Sequence, residues 1–86
     1  MTVVFYGNIV EYTNGIKSYS PAHCPDLRSL IDKLGADYGG SFKDFLLGDE
    51  TCLFLINGTG AMKTGGLDSP LIEGDKIEIL PFVDAG

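Results

Sequence analysis

The chain has no tryptophan, one histidine and only two cysteines among its 86 residues. Cys24 and Cys52 stand far apart, with neither a CxxC pair nor a cluster of cysteine and histidine beside them. The sequence therefore offers no zinc site and no redox pair. Two thiols also exclude a cysteine-ligated iron-sulfur cluster, which needs four. We predict two reduced thiols, no metal and no cofactor of the protein's own.

Basic residues are scarce as well. Six lysines and arginines stand against twelve aspartates and glutamates, for a net charge of −6. Such a surface repels a phosphate backbone or an anionic membrane, so nucleic acid is not an expected partner. The same charge suits a basic surface on a partner protein, where complementary potentials raise the encounter rate.

Long apolar runs are also missing. No stretch approaches the roughly 18 apolar residues that cross a bilayer, and no basic segment precedes an apolar one at the start of the chain. We expect no membrane association and a cytoplasmic location. The length predicts one domain, residues 1–86, which buries only about 60 to 65% of the surface of its unfolded chain and leaves little room for an enclosed active site.

The clearest local pattern is an amphipathic helix over residues 26–35. Pro25 suits its first helical position, Asp26 lies favourably near its positive N-terminal end, and Gly35 suits a left-handed cap that ends it. Apolar residues recur at i, i+3, i+4 and i+7, as expected for a helix with one buried face. They are Leu27, Leu30, Ile31 and Leu34.

Several other stretches are rich in β-branched and aromatic residues and end at turn residues, which is typical of strands. These are residues 2–6, 16–20, 51–56 and 76–82. The run 51–56 is continuously apolar, which predicts a central strand buried on both faces. Asn14-Gly15 and Asn57-Gly58 are predicted turns.

Three segments are less well defined. Residues 9–13 fit either a hairpin arm or one helical turn, and residues 41–47 fit either a short helix after a loop over 38–41 or an irregular segment. Residues 59–66 are glycine-rich and predict a flexible surface loop. The order of elements places one main helix across a small mixed sheet, an α+β arrangement of the β-grasp kind. The last strand would lie centrally and leave residues 83–86 as a flexible tail.

The chain resembles the MoaD/ThiS-type sulfur carriers of the ubiquitin-like superfamily over nearly its whole length, and among them most the small subunits of molybdopterin synthase. The most specific element is the Gly74-Asp75 turn, which feeds a strand that ends at Pro81 shortly before the terminal Gly86. Further residues that carry the resemblance are Asp26-Leu27 and Leu30 in the helix and the segments 3–7, 54–58, 67–77 and 79–86.

The resemblance implies that the protein is a carrier and not an enzyme. An E1-like adenylating partner (MoeB/ThiF-like) would use ATP to activate the Gly86 carboxylate, and a sulfur donor would convert it to a thiocarboxylate. The sulfur would then pass to a larger synthase subunit (MoaE-like), or to another acceptor, during molybdopterin assembly. Glycine suits that terminus because a residue without a Cβ can thread a confined site.

Two positions depart from the family pattern, which ends in Gly-Gly and has a second proline before it: Ala85 and Phe82. These departures leave two alternatives open. One is a carrier for another pathway, such as thiazole, tungsten cofactor or amino-acid sulfur delivery, and the other is a β-grasp interaction module without carrier activity. Residues predicted to dock the partner alongside the tail are Phe82, Val83, Asp84 and Ala85.

The remaining candidates for chemistry have simpler interpretations. His23 lies beside Cys24 without an acidic residue to orient it, so we expect a surface residue and not a general base. Cys24 at a helix start could have a lowered pKa, although a small apolar role is the stronger expectation. Cys52 is expected in the core. The aspartates lack metal-ligand spacing and are expected on the solvated surface, at positions 32, 37, 44 and 49.

Overall fold

The computed structural model describes residues 1–48 and 51–82. Its five strands form one mixed sheet in the order β2-β1-β5-β3-β4, in which β1 and β5 are parallel and the other pairs are antiparallel. The strands are β1 (Thr2–Phe5), β2 (Ser18–Tyr19), β3 (Cys52–Ile56), β4 (Thr59–Gly60) and β5 (Lys76–Pro81). The α-helices are α1 (Leu27–Tyr38) and α2 (Gly40–Leu47), and short 3-10 turns span Gly7–Glu11, Ala61–Lys63 and Gly66–Asp68.

This arrangement confirms the predicted α+β class and the central place of the last strand, since β5 lies between β1 and β3. Of the undecided residues 9–13, the first three belong to the 3-10 turn after β1, Tyr12 caps it and Thr13 continues as a turn, so none forms a hairpin arm. The strand predicted over 16–20 is only the two residues of β2. Asn14 and Asn57 both adopt positive φ beside a positive-φ glycine, as the predicted turns require.

The ends of α1 differ from the prediction. Asp26 is the N-cap, and its carboxylate accepts the Ser29 N–H at 2.8 Å, so Pro25 precedes the helix and does not begin it. That hydrogen bond holds the pKa of Asp26 below its usual value. The helix also continues past Gly35 to Tyr38, and Gly39, with a φ of 113°, takes the place after its last turn.

Gly35 has a packing role instead of a capping one. A Cβ built on Gly35 would lie 2.8 Å from the Cβ of Lys43, which is closer than real side chains approach. The missing side chain lets α1 and α2 pass close together. The loop predicted over 38–41 is therefore reduced to the turn at Gly39, and α2 begins at Gly40.

The core lies between the two helices and one face of the sheet, here called the covered face. Along β1 and β5 the buried residues alternate, which is the period expected of a strand with one face in the core. The covered face carries Val3, Phe5, Ile77 and Ile79, and the helices bury Leu27, Leu30, Ile31, Leu34, Phe42 and Leu46 against it. Phe42 also stacks on Tyr12 with ring centroids 5.2 Å apart.

Two predictions about the second half of the chain are wrong. The apolar strand β3 is not buried on both faces, because Leu53 is 46% exposed and only Ile56 is fully in the core. Residues 59–66 are not a plain surface loop either. They hold β4 and a 3-10 turn, and Ala61, the first residue of that turn, is buried.

A polar brace closes the end of the sheet where β5 begins. The Asp75 carboxylate accepts the Ile72 N–H and the Asn57 side-chain N–H, each at 2.8 Å, while the Asn57 side-chain oxygen accepts the Lys76 N–H at 2.9 Å. These donors lower the pKa of Asp75, with the Ile72 N–H as the largest cause. The brace ties the turn after β3 to the turn before β5.

Candidate functional site

The face of the sheet that the helices leave uncovered, here called the open face, is largely apolar. Because side chains alternate along a strand, the residues between the core positions of β1, β3 and β5 must point to this side. Register places Leu53 opposite Leu80 and Leu55 opposite Glu78. The open face consists of Val4, Tyr6, Leu53, Leu55, Glu78, Leu80 and Phe82.

Glu78 is the one charged residue in the middle of the open face. Its carboxylate accepts the Tyr6 hydroxyl at 2.6 Å, and Lys76 Nζ lies 3.9 Å from the same oxygen. The hydrogen bond to Glu78 raises the pKa of Tyr6. The Glu78 carboxylate therefore has polar partners of its own. The open face remains apolar from Glu78 toward Leu80 and Phe82.

Apolar side chains also line an open groove of about 810 Å³, here called the edge groove, at the outer side of β3. The groove forms because β4 pairs only with Leu55 and Ile56, so no strand of the described residues lies beside the first three residues of β3 on that side. Its most prominent lining residues are Leu46, Leu47, Leu53, Phe54, Met62 and Phe82.

Exposure makes the edge groove a candidate recognition surface. Met62 is 89% exposed, and Leu47, Leu53 and Phe82 are each close to half exposed. Exposed apolar side chains gathered in one place contribute little to folding and are typical of interaction sites. The predicted docking residue Phe82 is thus part of an apolar surface, together with three residues that the sequence did not single out for this role.

The end of β5 is held from both sides. The Phe82 N–H donates to the Thr51 carbonyl at 3.2 Å, which extends the pairing with β3 by one residue. On the other side the Pro81 ring packs against Gly7, which is separated from the end of β1 by Tyr6. Val83, Asp84, Ala85 and Gly86, the other predicted site residues, lie outside the described residues.

The thiols have the properties of packing residues. Burial raises the pKa of Cys24 and of Cys52, so both favour the protonated form, and the lowered pKa considered for Cys24 is wrong. Cys24 is buried in the core, and Cys52 is half-buried beside the edge groove. His23 is exposed, as predicted.

Of the predicted surface aspartates, Asp32 and Asp37 pair with other side chains, Asp44 is exposed, and Asp49 lies outside the described residues. Asp32 lies 2.7 Å from Lys43 Nζ, and Asp37 accepts the Tyr19 hydroxyl, which lowers the pKa of Asp37. Within residues 1–48 and 51–82, no three histidine, cysteine or acidic side chains come together as metal ligands. Nor does any helix in those ranges have the length and apolarity to cross a membrane.

Comparison with known proteins identifies the family of the chain. The family model for the ThiS family matches residues 3–86. The chain belongs to the ThiS family. Its members are ubiquitin-like sulfur carriers, so the predicted family and the β-grasp fold are both confirmed. No curated protein matches the chain significantly in sequence.

Solved structures with the same fold carry different names. CysO of Mycobacterium tuberculosis, described as an antigen, is 28% identical over 95% of this chain and 98% of its own, with a TM-score of 0.84. CysO in the BexX/CysO complex of Amycolatopsis orientalis is 24% identical over 99% and 98%, with a TM-score of 0.82. A Pyrococcus furiosus protein provisionally named subunit 1 of a molybdopterin converting factor is 17% identical over 95% of each chain, with a TM-score of 0.71.

The family match shows the class of protein, whereas these neighbours do not determine its pathway. The two comparisons below 25% identity show the shared fold alone, and the chain resembles a CysO more closely than it resembles the molybdopterin-named protein. Small carriers of this type are generally not catalytic themselves. The turn and strand motifs of the sequence predicted the family, but no motif distinguishes molybdopterin synthesis from the other sulfur-delivery pathways.

Proposed function

We propose that this protein carries sulfur as a thiocarboxylate on Gly86. The observation that supports the proposal most is the ThiS family match, which runs through residue 86 and so includes the terminal glycine. The position of the edge groove adds to it, because Phe82 lines the groove four residues before Gly86. A partner that covers the groove would have the reactive end of the chain within reach.

The chemistry needs two steps, because a carboxylate has no good leaving group. A Gly86 carboxylate oxygen attacks the α-phosphorus of ATP, forming a C–O–P linkage and releasing pyrophosphate. A hydrosulfide then attacks the carbonyl carbon, so that a C–S bond forms, the C–O bond to AMP breaks and a proton is released. Activation through the adenylate divides one difficult substitution into two easier ones.

The catalytic groups for both steps belong to the adenylating partner in this proposal. The protein supplies the substrate carboxylate and a surface that docks it. Leu53, Met62 and Phe82 would form the apolar centre of that contact, since the centres of interfaces are depleted in charge and enriched in apolar and aromatic residues. The net charge of −6 favours a basic surround on the partner.

Intact-mass analysis tests the carrier role. The full chain is incubated with its adenylating enzyme, ATP and sulfide, and we expect the mass change of one oxygen replaced by sulfur. A variant that lacks Gly86 should keep the fold and show no change. An unchanged mass for the natural chain, with an enzyme shown to be active on another carrier, would overturn the proposal.

For the pathway, we propose sulfur delivery to a molybdopterin synthase first, supported by the likeness of residues 67–81 to the small subunits of that synthase. A carrier for another pathway is the second candidate, and the higher identity to CysO favours it. Thiocarboxylated protein mixed with a MoaE-like subunit and the dithiolene precursor should yield molybdopterin. If the thiocarboxylate sulfur is not transferred in this reaction, the result supports a carrier for another pathway.

A further inference from the structure

A close backbone contact holds the end of β5 at Gly7. This glycine follows the parallel pairing of β1 with β5, and it adopts a φ of +59°, in the left-handed region. A Cβ built on Gly7 would lie 2.9 Å from Cγ and 3.3 Å from Cδ of Pro81. The Pro81 ring therefore occupies the space that any side chain at position 7 would need.

Pro81 cannot yield that space cheaply. Its ring closes on its own backbone nitrogen, so a displaced Cδ moves the backbone of β5 with it. Proline is also the residue suited to this place. The Tyr6 N–H makes the last backbone hydrogen bond on this side of β5, to the Ile79 carbonyl at 3.0 Å, and beyond it no strand within residues 1–48 and 51–82 lies beside β5 there. The contact between the Pro81 ring and Gly7 thus follows directly after the last hydrogen bond between the β1 segment and β5.

Pro81 and Phe82 are also held on the side that faces β3. Pro81 is paired with Cys52, and the Phe82 N–H donates to the Thr51 carbonyl. The end of β5 is thus held between a hydrogen bond to Thr51, the residue before β3, and a ring contact with Gly7. Only the hydrogen bond is a general property of a sheet; the ring contact depends on the residue at position 7.

We propose that Gly7 is a positioning residue, which sets the direction in which the chain leaves β5 through its contact with Pro81. Building on the carrier function proposed above, this direction determines how Gly86 reaches the adenylating site. In this proposal Gly7 acts through Pro81, five residues before Gly86, and not through the reacting atoms themselves.

The test is the variant Gly7→Ala, with steady-state adenylation of the full chain as the measurement. We expect kcat to fall by at least about tenfold, because a displacement near 1 Å can cost up to a hundredfold in a well-oriented reaction. The KM for the carrier should change by less than kcat, since Leu53 and Met62 of the edge groove are carried by β3 and by the Ala61–Lys63 turn and not by β5.

Gly15→Ala is the matched control. Gly15 also has a positive φ, +84°, but nothing lies within 4 Å of the position of its Cβ. It therefore introduces backbone strain of the same kind without a contact to β5. Thermal unfolding of both variants shows whether each is folded at the assay temperature, and kcat of Gly15→Ala should remain within about twofold of the natural chain.

A double-mutant cycle isolates the contact. Pro81→Ala removes the two ring atoms that oppose a Cβ at position 7, so in that background Gly7→Ala should change kcat by less than about twofold. If Gly7→Ala does not fold, Gly7→Asn replaces it, because asparagine tolerates positive φ while still presenting a Cβ to Pro81. Gly15→Asn is then its control.

Three results would overturn the inference: a kcat for Gly7→Ala within twofold of Gly15→Ala, an equal loss in both Pro81 backgrounds, or a loss that appears only in KM. Each of these requires that the natural chain is adenylated. If the natural chain itself gives no adenylate or thiocarboxylate, the proposed carrier function fails first, so the two failures are distinguishable.

Discussion

On the covered face of the sheet Val3, Ile77 and Ile79 are fully buried, whereas on the open face Leu53 and Phe82 remain almost half exposed. Both faces are built from alternate residues of the same strands, so local strand propensity cannot explain the difference. The helices cover one side and nothing among the described residues covers the other. The covered face stabilises the body, and the open face with its edge groove is available for recognition.

The sharpest test of this comparison replaces a leucine on each side of the sheet. Leu34→Ala truncates a fully buried residue of α1, which packs against the covered face. It should lower the free energy of unfolding by about 2 to 5 kcal/mol, from lost burial and the cavity that remains. Urea denaturation measures this. A loss below about 1 kcal/mol would mean that the core between helices and sheet is not packed as described.

The polar brace at the start of β5 contributes to the body in a pH-dependent way. Asp75→Ala leaves the Ile72 and Asn57 donors without their acceptor and should cost about 1 to 3 kcal/mol at neutral pH. Because the folded-state pKa of Asp75 lies below its unfolded value, its contribution is present above about pH 4 and is lost as pH falls through the folded pKa.

Urea titrations of the natural chain and Asp75→Ala at neutral and acidic pH follow that contribution. The difference in stability between the two proteins should narrow as pH falls below about 4. A difference that stays constant, or grows, would contradict the assignment of the brace to the ionised carboxylate.

Helix packing gives a smaller effect. Gly35→Ala gains up to about 1 kcal/mol of helix propensity but forces its Cβ onto that of Lys43, and such overpacking costs about 1 to 3 kcal/mol. We expect a net loss of up to about 2 kcal/mol by thermal unfolding. Gly40→Ala is the control, since nothing lies within 4 Å of its Cβ position, and it should be neutral or stabilising. Equal stabilisation by both would contradict the close helix contact.

On the open face the stability effect should be smallest and the binding effect should dominate. Leu53→Ala should change the free energy of unfolding by less than about 1 kcal/mol, in contrast to Leu34→Ala. It should raise the KM of the carrier for its adenylating enzyme by about tenfold, as loss of an interface anchor does. Ile72→Ala, which removes another exposed side chain outside the groove, is the control. Equal KM values for the two variants would remove the edge groove from the interface.

The comparison of the faces also explains which parts of the structure the sequence predicts. The helix pattern at Leu27, Leu30, Ile31 and Leu34 is decided by local spacing, and the four residues are indeed buried. The role of Gly35 is decided by a neighbour eight residues later, Lys43, so a rule for helix ends assigned it wrongly. Long-range contacts of this kind have no local signal.

The same limit applies to the candidate site. The continuous apolar run of β3 predicts burial on both faces, because its letters do not show that one side of the sheet lacks a cover. Leu53 and Met62 therefore gave no sign that they lie on an exposed apolar surface, whereas Phe82 was predicted to dock the partner from its place before the tail, and that role stays a prediction. The contact of Gly7 with Pro81 joins residues at opposite ends of the chain, and only the parallel pairing of β1 and β5 brings them together.

The most direct test of the carrier role is the mass of the protein made in its own cells. It is purified intact without oxidants or alkylating agents, which react with thiocarboxylates, from cells with and without the adenylating enzyme. We predict a fraction with sulfur in place of one oxygen at Gly86, and its absence when the enzyme is missing. A chain that carries only the carboxylate in both, even when its sulfur acceptor is removed, would contradict the account.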